Sequence, residues 1–194
     1  MKITPLTIEG VRLVEIEPIR DERGFFARAW CKDEFAQAGI DFDVAQASVS
    51  HNAAAGTVRG LHFAWPPARE AKLVRCTRGR VHDVLVDLRP HSPQFMQQLS
   101  VVLDAAQHNA LLVPPGVAHG FQSLVDETEV LYLMSEAYRP DLAAGARFDD
   151  PAFGVAWPLA VTCISEADRR RAAFDETAHV RRFQAHAGAD RHAV

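Results

Sequence analysis

The sequence predicts an all-β domain, an antiparallel sandwich or barrel, and three observations carry that reading. Short apolar runs with partial two-residue alternation recur along most of the chain. Turn signals separate them, among them His91-Ser92-Pro93, Pro114-Pro115-Gly116 and Asp126-Glu127. Helical periodicity is confined to two short stretches, so the crossover helices of a βαβ protein are missing.

Taken in order, residues 12–19 (RLVEIEPI) open the series, and residues 32–38 form a short helix stopped by Gly39 at C′. Residues 58–63 (VRGLHF) are a strand. Residues 71–77 and 80–89, joined by Arg78-Gly79, read as a hairpin. Its second arm places Val84, Val86 and Leu88 on one face and Asp83 and Asp87 on the other. Residues 96–103, 110–113 and 129–136 continue the strands. Residues 165–174 (SEADRRRAAF) form a second helix with Ser165 as its N-cap. Residues 175–194 are polar and poor in core formers, which predicts a single domain over 1–175 with a surface appendage or frayed tail over 176–194.

Composition bounds the function. A chain of 194 residues, 48% hydrophobic and 24% charged, fits one soluble globular domain with a real core. Twenty-one Lys and Arg against 25 Asp and Glu give a formal charge of -4, so no nucleic-acid partner is expected. No apolar run reaches the ~20 residues of a membrane span. The start, MKITPLTIEG, lacks the apolar core of a secretory signal. Cys31, Cys76 and Cys163 are odd in number and far apart, which argues against a disulfide framework and for a reducing cytoplasm.

Four clusters could carry chemistry. In Arg59-Gly60-Leu61-His62-Phe63, strict alternation puts Arg59 with Leu61 and Phe63, and His62 on the opposite face, either as a buried core histidine or pointing into the barrel. Glu70, Lys72 and Arg75 follow; such a lysine is either solvated or a cation inside a cavity, suited to phosphate or a developing oxyanion. Residues 114–121 (PPGVAHGF) read as a tight, rigid loop that either brings His119 to a ligand or simply turns. Tyr132 and Tyr138, with Asp168 further on, form the last. Tyr132 has an ordinary explanation as a core aromatic, and Asp168, three residues after Ser165, as a helix-start residue. No GxSxG elbow and no Gly-rich phosphate loop is present. A metal site would want HxH and a carboxylate; His62 and His119 have no such neighbour, although Glu70 could be recruited.

In order along the chain, QxSxS, RGLHF, EAKLVRCTRG, VDLRPHSP, VPPGVAHGF, TEVLYLMSEAYRP, FDDPAFGVAWP and ISEAD resemble the dTDP-4-dehydrorhamnose 3,5-epimerase family, from about Ile8 to Asp168. The resemblance implies a cupin-type jelly-roll barrel or sandwich with a few short peripheral helices. It implies a homodimer that acts on a sugar nucleotide without a metal or organic cofactor. Carried over residue by residue, it implies that His62 is the base, Asp168 its orienting carboxylate, Tyr132 the acid, and Lys72 the cation beside the keto oxygen. Arg59 and His119 then lie around the sugar and diphosphate, and Tyr138 lines the sugar site. Arg23 reaches the diphosphate from a partner subunit, and Phe26, Gln46 and Ser48 lie near the nucleotide.

Three positions depart from the usual pattern: Ser48 where many members have Asn, Arg28 where many have Glu, and Phe63-Ala64 in place of a typical Tyr-Gln. They bear on the nucleotide and the exact sugar, including a relative that epimerises one carbon only. Two further classes are distinct from this reading. One is a metal-dependent cupin enzyme using His62, His119 and Glu70; the other is a sugar-nucleotide binding module without chemistry.

Overall fold

The alternation that marks the strands also sorts their side chains into layers, as a computed structural model describing residues 1–189 makes plain. In chain order the elements are β1 (Lys2–Pro5), β2 (Arg12–Glu15), β3 (Ile19–Asp21), β4 (Gly24–Phe26), α1 (Lys32–Gln37), β5 (Gln46–Asn52), β6 (Thr57–Ala64), β7 (Lys72–Arg78) and β8 (Arg80–Asp87). There follow β9 (Gln98–Asp104), β10 (Ala110–Val113), β11 (Val117–Ser123), β12 (Thr128–Met134), β13 (Ala143–Gly145), β14 (Cys163–Ile164), α2 (Glu166–Arg169) and α3 (Glu176–Ala189). One sheet runs β1-β2-β10-β7-β12-β5 and the other β13-β6-β11-β8-β9, with β14 parallel to β6 at its start. This is the all-β jelly roll expected from the sequence.

Three buried clusters hold it together. Val74 and Cys76 of β7, Val81 and Leu85 of β8, Leu111 and Val113 of β10, and Phe121 and Val130 fill the space between the sheets. On the outer face of the second sheet, Leu61, Phe63, Val84, Val86 and Leu88 pack under Leu142, Ala146 and Phe153. On the outer face of the first, Val14, Leu73 and Leu112 pack against Phe35 of α1 and Phe42. Burying a large apolar side chain in this way contributes roughly 1.5–3 kcal/mol each.

Several expectations need correcting. β7 and β8 are not a hairpin: β7 pairs with β10 and β12, and β8 with β11 and β9. Gly79, at φ +77°, turns the chain from one sheet to the other, and a Cβ there would meet Thr128 Oγ1 at 2.5 Å. Residues 117–121 are not loop but the first part of β11, a central strand, and His119 within it is 4% exposed. The second helix is only the four residues of α2. Beyond it, residues 176–189 are no frayed tail: they form a helix, α3, although residues 190–194 lie outside the described part. The helix is fastened through His179, whose Nε2 lies 2.7 Å from the Leu88 carbonyl among the rings of Phe63, Trp65, Phe95, Phe174 and Phe183. Among the described residues no helix is long and apolar enough to cross a membrane, and the three cysteines are free.

Candidate active site

The site begins with one extra residue in β6. On β11, His119 and Phe121 are two apart; their register partners on β6, His62 and Arg59, are three apart. This bulge breaks the strict alternation expected from the sequence, which would have put Arg59 beside Leu61 and Phe63. Instead Arg59 and His62 both face the space between the sheets, while Leu61 and Phe63 stay in the outer layer. Gly60 makes the geometry possible. It sits at φ +116°, and any Cβ there would meet Gly120 Cα at 2.6 Å.

At that end of the barrel the core opens into a cavity of about 620 Å³ lined by Arg59, His62, Lys72, His119, Tyr132 and Asp168. A lobe of about 440 Å³ adjoins it, sharing His62 and Lys72 and extending to Glu70, Glu136 and Tyr138. Both volumes are in the range of small-molecule sites.

Two histidine–carboxylate pairs stand side by side. His62 Nε2 lies 2.7 Å from Asp168 Oδ1, with the imidazole 45% exposed to the cavity and the carboxylate buried. Ser165 Oγ accepts from the Asp168 amide as the α2 N-cap, so the helix start fixes the backbone of Asp168 while its carboxylate reaches the strand. The other oxygen, Oδ2, accepts from Gly60 N–H at 3.3 Å. Burial alone would raise the Asp168 carboxyl, but the hydrogen bond and charge of His62 and the Gly60 amide outweigh it and hold it at about 2. An ionised carboxylate only accepts, so Nε2 of His62 is the nitrogen that donates to Asp168, and Nδ1 is the ring nitrogen left outside that bond. In the second pair, His119 Nε2 lies 2.9 Å from Asp83 Oδ2 with both side chains buried.

Tyr132 comes from the facing sheet, edge-on to His119 at 6.0 Å between ring centres. Burial, and then the negative charge of Asp83, push its phenol above the ordinary range, while Arg59 pulls the other way. Lys72, on the inner face of β7 with Val74 and Cys76, is 9% exposed and lies 3.1 Å from Glu70. Arg75 faces the opposite way and holds the carbonyls of Ala29 and His108. Arg59 is aimed by Asn52 Oδ1 at 2.8 Å and the His51 carbonyl at 3.1 Å. Gln46 bridges Ser48 Oγ at 3.2 Å and the Tyr138 amide at 3.1 Å, which ties β5 to the cavity rim.

The chain does not bring every expected residue here. Arg23 pairs with Asp21 on the β3–β4 ribbon, and Phe26 is 74% exposed beside a separate small hollow. Within one chain neither reaches the cavity. Arg28 pairs with Glu34 at 3.5 Å. The metal-dependent alternative finds no support: His62 and His119 each hold a carboxylate of their own, and among the described residues no three His, Cys, Asp or Glu side chains gather in one ligating group.

Sequence reasoning missed one cavity residue and one buried residue behind the cavity wall. Asp83, fully buried, was legible only as one face of β8, and its tie to His119 depends on the pairing of β8 with β11. Arg171, which lines both lobes, was signalled by nothing except its place three residues after Asp168.

Comparison with known proteins agrees with this geometry. The family model described as dTDP-4-dehydrorhamnose 3,5-epimerase matches residues 5–176. A dTDP-4-dehydrorhamnose 3,5-epimerase of Sinorhizobium fredii is 38% identical over 169 residues, 87% of each chain. A dTDP-4-dehydrorhamnose 3-epimerase of Streptomyces niveus is 38% identical over 170 residues, 87% of this chain and 82% of that one. The crystal structure of dTDP-4-dehydrorhamnose 3,5-epimerase from Bacillus anthracis, with TDP and PPi bound, superposes with a TM-score of 0.86 at 36% identity. That match covers 89% of this chain and 99% of the other.

Proposed function

The chain belongs to the dTDP-4-dehydrorhamnose 3,5-epimerase family, and we propose that it inverts C3 and C5 of dTDP-4-keto-6-deoxyglucose, in deoxysugar biosynthesis of the dTDP-L-rhamnose type. The observation that carries this reading is the His62–Asp168 pair opening onto the same cavity as Tyr132 and Lys72.

The C4 ketone acidifies the C–H bonds on both flanking carbons. His62 takes one of these protons on Nδ1, and the electron pair of the broken C–H bond moves into the C4 oxygen as an enolate. Asp168 keeps the imidazole in the required tautomer and stabilises the imidazolium that forms. Lys72 holds the enolate oxygen, with Glu70 steadying its ammonium. Tyr132 then gives its phenolic proton to the carbon from the opposite face, and the ketone is restored with the centre inverted. Exchange with water returns His62 and Tyr132 to their starting forms, and the cycle repeats at the second carbon. The raised phenol keeps Tyr132 protonated until the enolate forms.

Arg59 neutralises phosphate, helped by the forked geometry of guanidinium. His119, held by Asp83, supports the sugar end, and Tyr138, Gln46 and Ser48 bound the outer lobe. Arg23 and Phe26 act on a neighbouring copy in a homodimer. Support for that is the projecting β3–β4 ribbon, where Ile19 and Phe26 are each 74% exposed.

Incubating the protein with dTDP-4-keto-6-deoxyglucose and determining product stereochemistry by NMR tests the proposal. Inversion at both carbons is expected. Inversion at C3 alone would replace it with a single-centre epimerase, as the S. niveus relative is named, and recovery of unchanged sugar would overturn it.

A further inference from the structure

Gly145 is the register partner of His62 across the β6–β13 pairing, and having no side chain it leaves a gap beside the imidazole. The Arg171 guanidinium fills that gap. A Cβ on Gly145 would come within 2.4 Å of Arg171 Cζ, and Nη1 reaches the Gly145 carbonyl at 3.4 Å. Its Nε lies 3.5 Å from Asp168 Oδ1, the oxygen that also holds His62. That Nε is buried without a hydrogen-bond partner, so its link to the carboxylate is one of charge and not of scaffold.

We infer that Arg171 is a positioning residue that tunes the base: by sharing the carboxylate of Asp168 it weakens that carboxylate's hold on a proton at His62, and so keeps the imidazole free to act at lower pH. The inference rests on the role proposed for His62. A second cation on one carboxylate oxygen disfavours the imidazolium, both by direct repulsion and by taking up part of the oxygen's negative charge. Other charges facing His62 are Arg59 on its own strand, Lys72 with Glu70 at the start of β7, and His119 of β11, which is paired with the buried Asp83 of β8. The Tyr132 phenol, the Cys163 thiol, Glu136 and Arg139 complete the surroundings. All of these stay in place when Arg171 alone is changed, so a difference isolates its charge.

The test compares Arg171→Gln and Arg171→Met, which remove the charge, with Arg171→Lys, which keeps it. Two readouts are needed: the pH profile of kcat/KM, and an NMR titration of the His62 ring in the substrate-free protein. Without the charge, the acid limb and the titration midpoint should both rise by roughly 0.5–1 pH unit, a loss of about three- to tenfold on the limb against little change on the plateau. Arg171→Lys should restore part of the shift. An unmoved His62 midpoint in the charge-removed variants overturns the inference. So does a KM raised equally at every pH, which would mark Arg171 as a substrate-binding cation instead. Because the titration needs no substrate, it decides this question even if the proposed reaction fails.

Discussion

His62 and His119 are register partners on adjacent strands, and each gives Nε2 to a different carboxylate, one imidazole half-exposed to the cavity and the other buried in its wall. The same two side-chain types therefore do different physical jobs. His119→Ala would leave Asp83 buried with no partner, a loss of about 3–5 kcal/mol of stability. His62→Ala leaves Asp168 with the Gly60 amide and the nearby Arg171 charge, and should cost only about 1 kcal/mol, as for a half-exposed pair. Denaturant unfolding of the two variants separates them; equal losses would contradict the assignment.

The bulge at Gly60 is the local feature on which the site's geometry depends. Gly60→Ala adds a methyl against the backbone of Gly120 at a φ that favours glycine. The expected loss is at least about 1–3 kcal/mol of stability, together with most of the activity. A variant with the parent's thermal midpoint and turnover would show that Arg59 and His62 can share the cavity without it.

Tyr132→Phe should divide the reaction into its halves. His62 would still remove the proton and return one from solvent to the same face, so deuterium enters from D₂O while inversion falls by roughly 10²–10⁴-fold. Loss of exchange and inversion together would place the phenol in the deprotonation step instead.

Asp168 gives the pH prediction. Its carboxyl, near 2 in the folded protein against an ordinary 3.8, contributes stability that is fully present above the ordinary value and is lost as pH falls towards 2. The stability difference between the parent and Asp168→Asn should therefore be largest at neutral pH and shrink between about pH 4 and 2. A difference that grows on acidification would reverse the sign and refute the ionised pair.

Much of this architecture was legible in the residues. Val84, Val86 and Leu88 alternate with Asp83 and Asp87, and the structure keeps both faces as read. Ser165 caps its helix, and Gly39 follows α1 at φ +73°. The failures share one cause, since alternation is local while pairing is not. Nothing near Arg78-Gly79 says that both edges of β7 are taken by distant strands. Nothing near Gly60 reports the unequal spacing on β11. Helix α3 was hidden because it folds through His179 and Phe183 onto aromatic residues far away in sequence. Asp168 and His62, 106 residues apart, were linked by family resemblance; their contact comes from β14 laying α2 along β6.

The most direct measurement follows deuterium entry at C3 and C5 of dTDP-4-keto-6-deoxyglucose in D₂O, for the parent protein beside His62→Ala. Entry at both carbons with the parent, and none above the uncatalysed rate with the variant, is the predicted result. Exchange by His62→Ala at the parent's rate would contradict imidazole catalysis at this position.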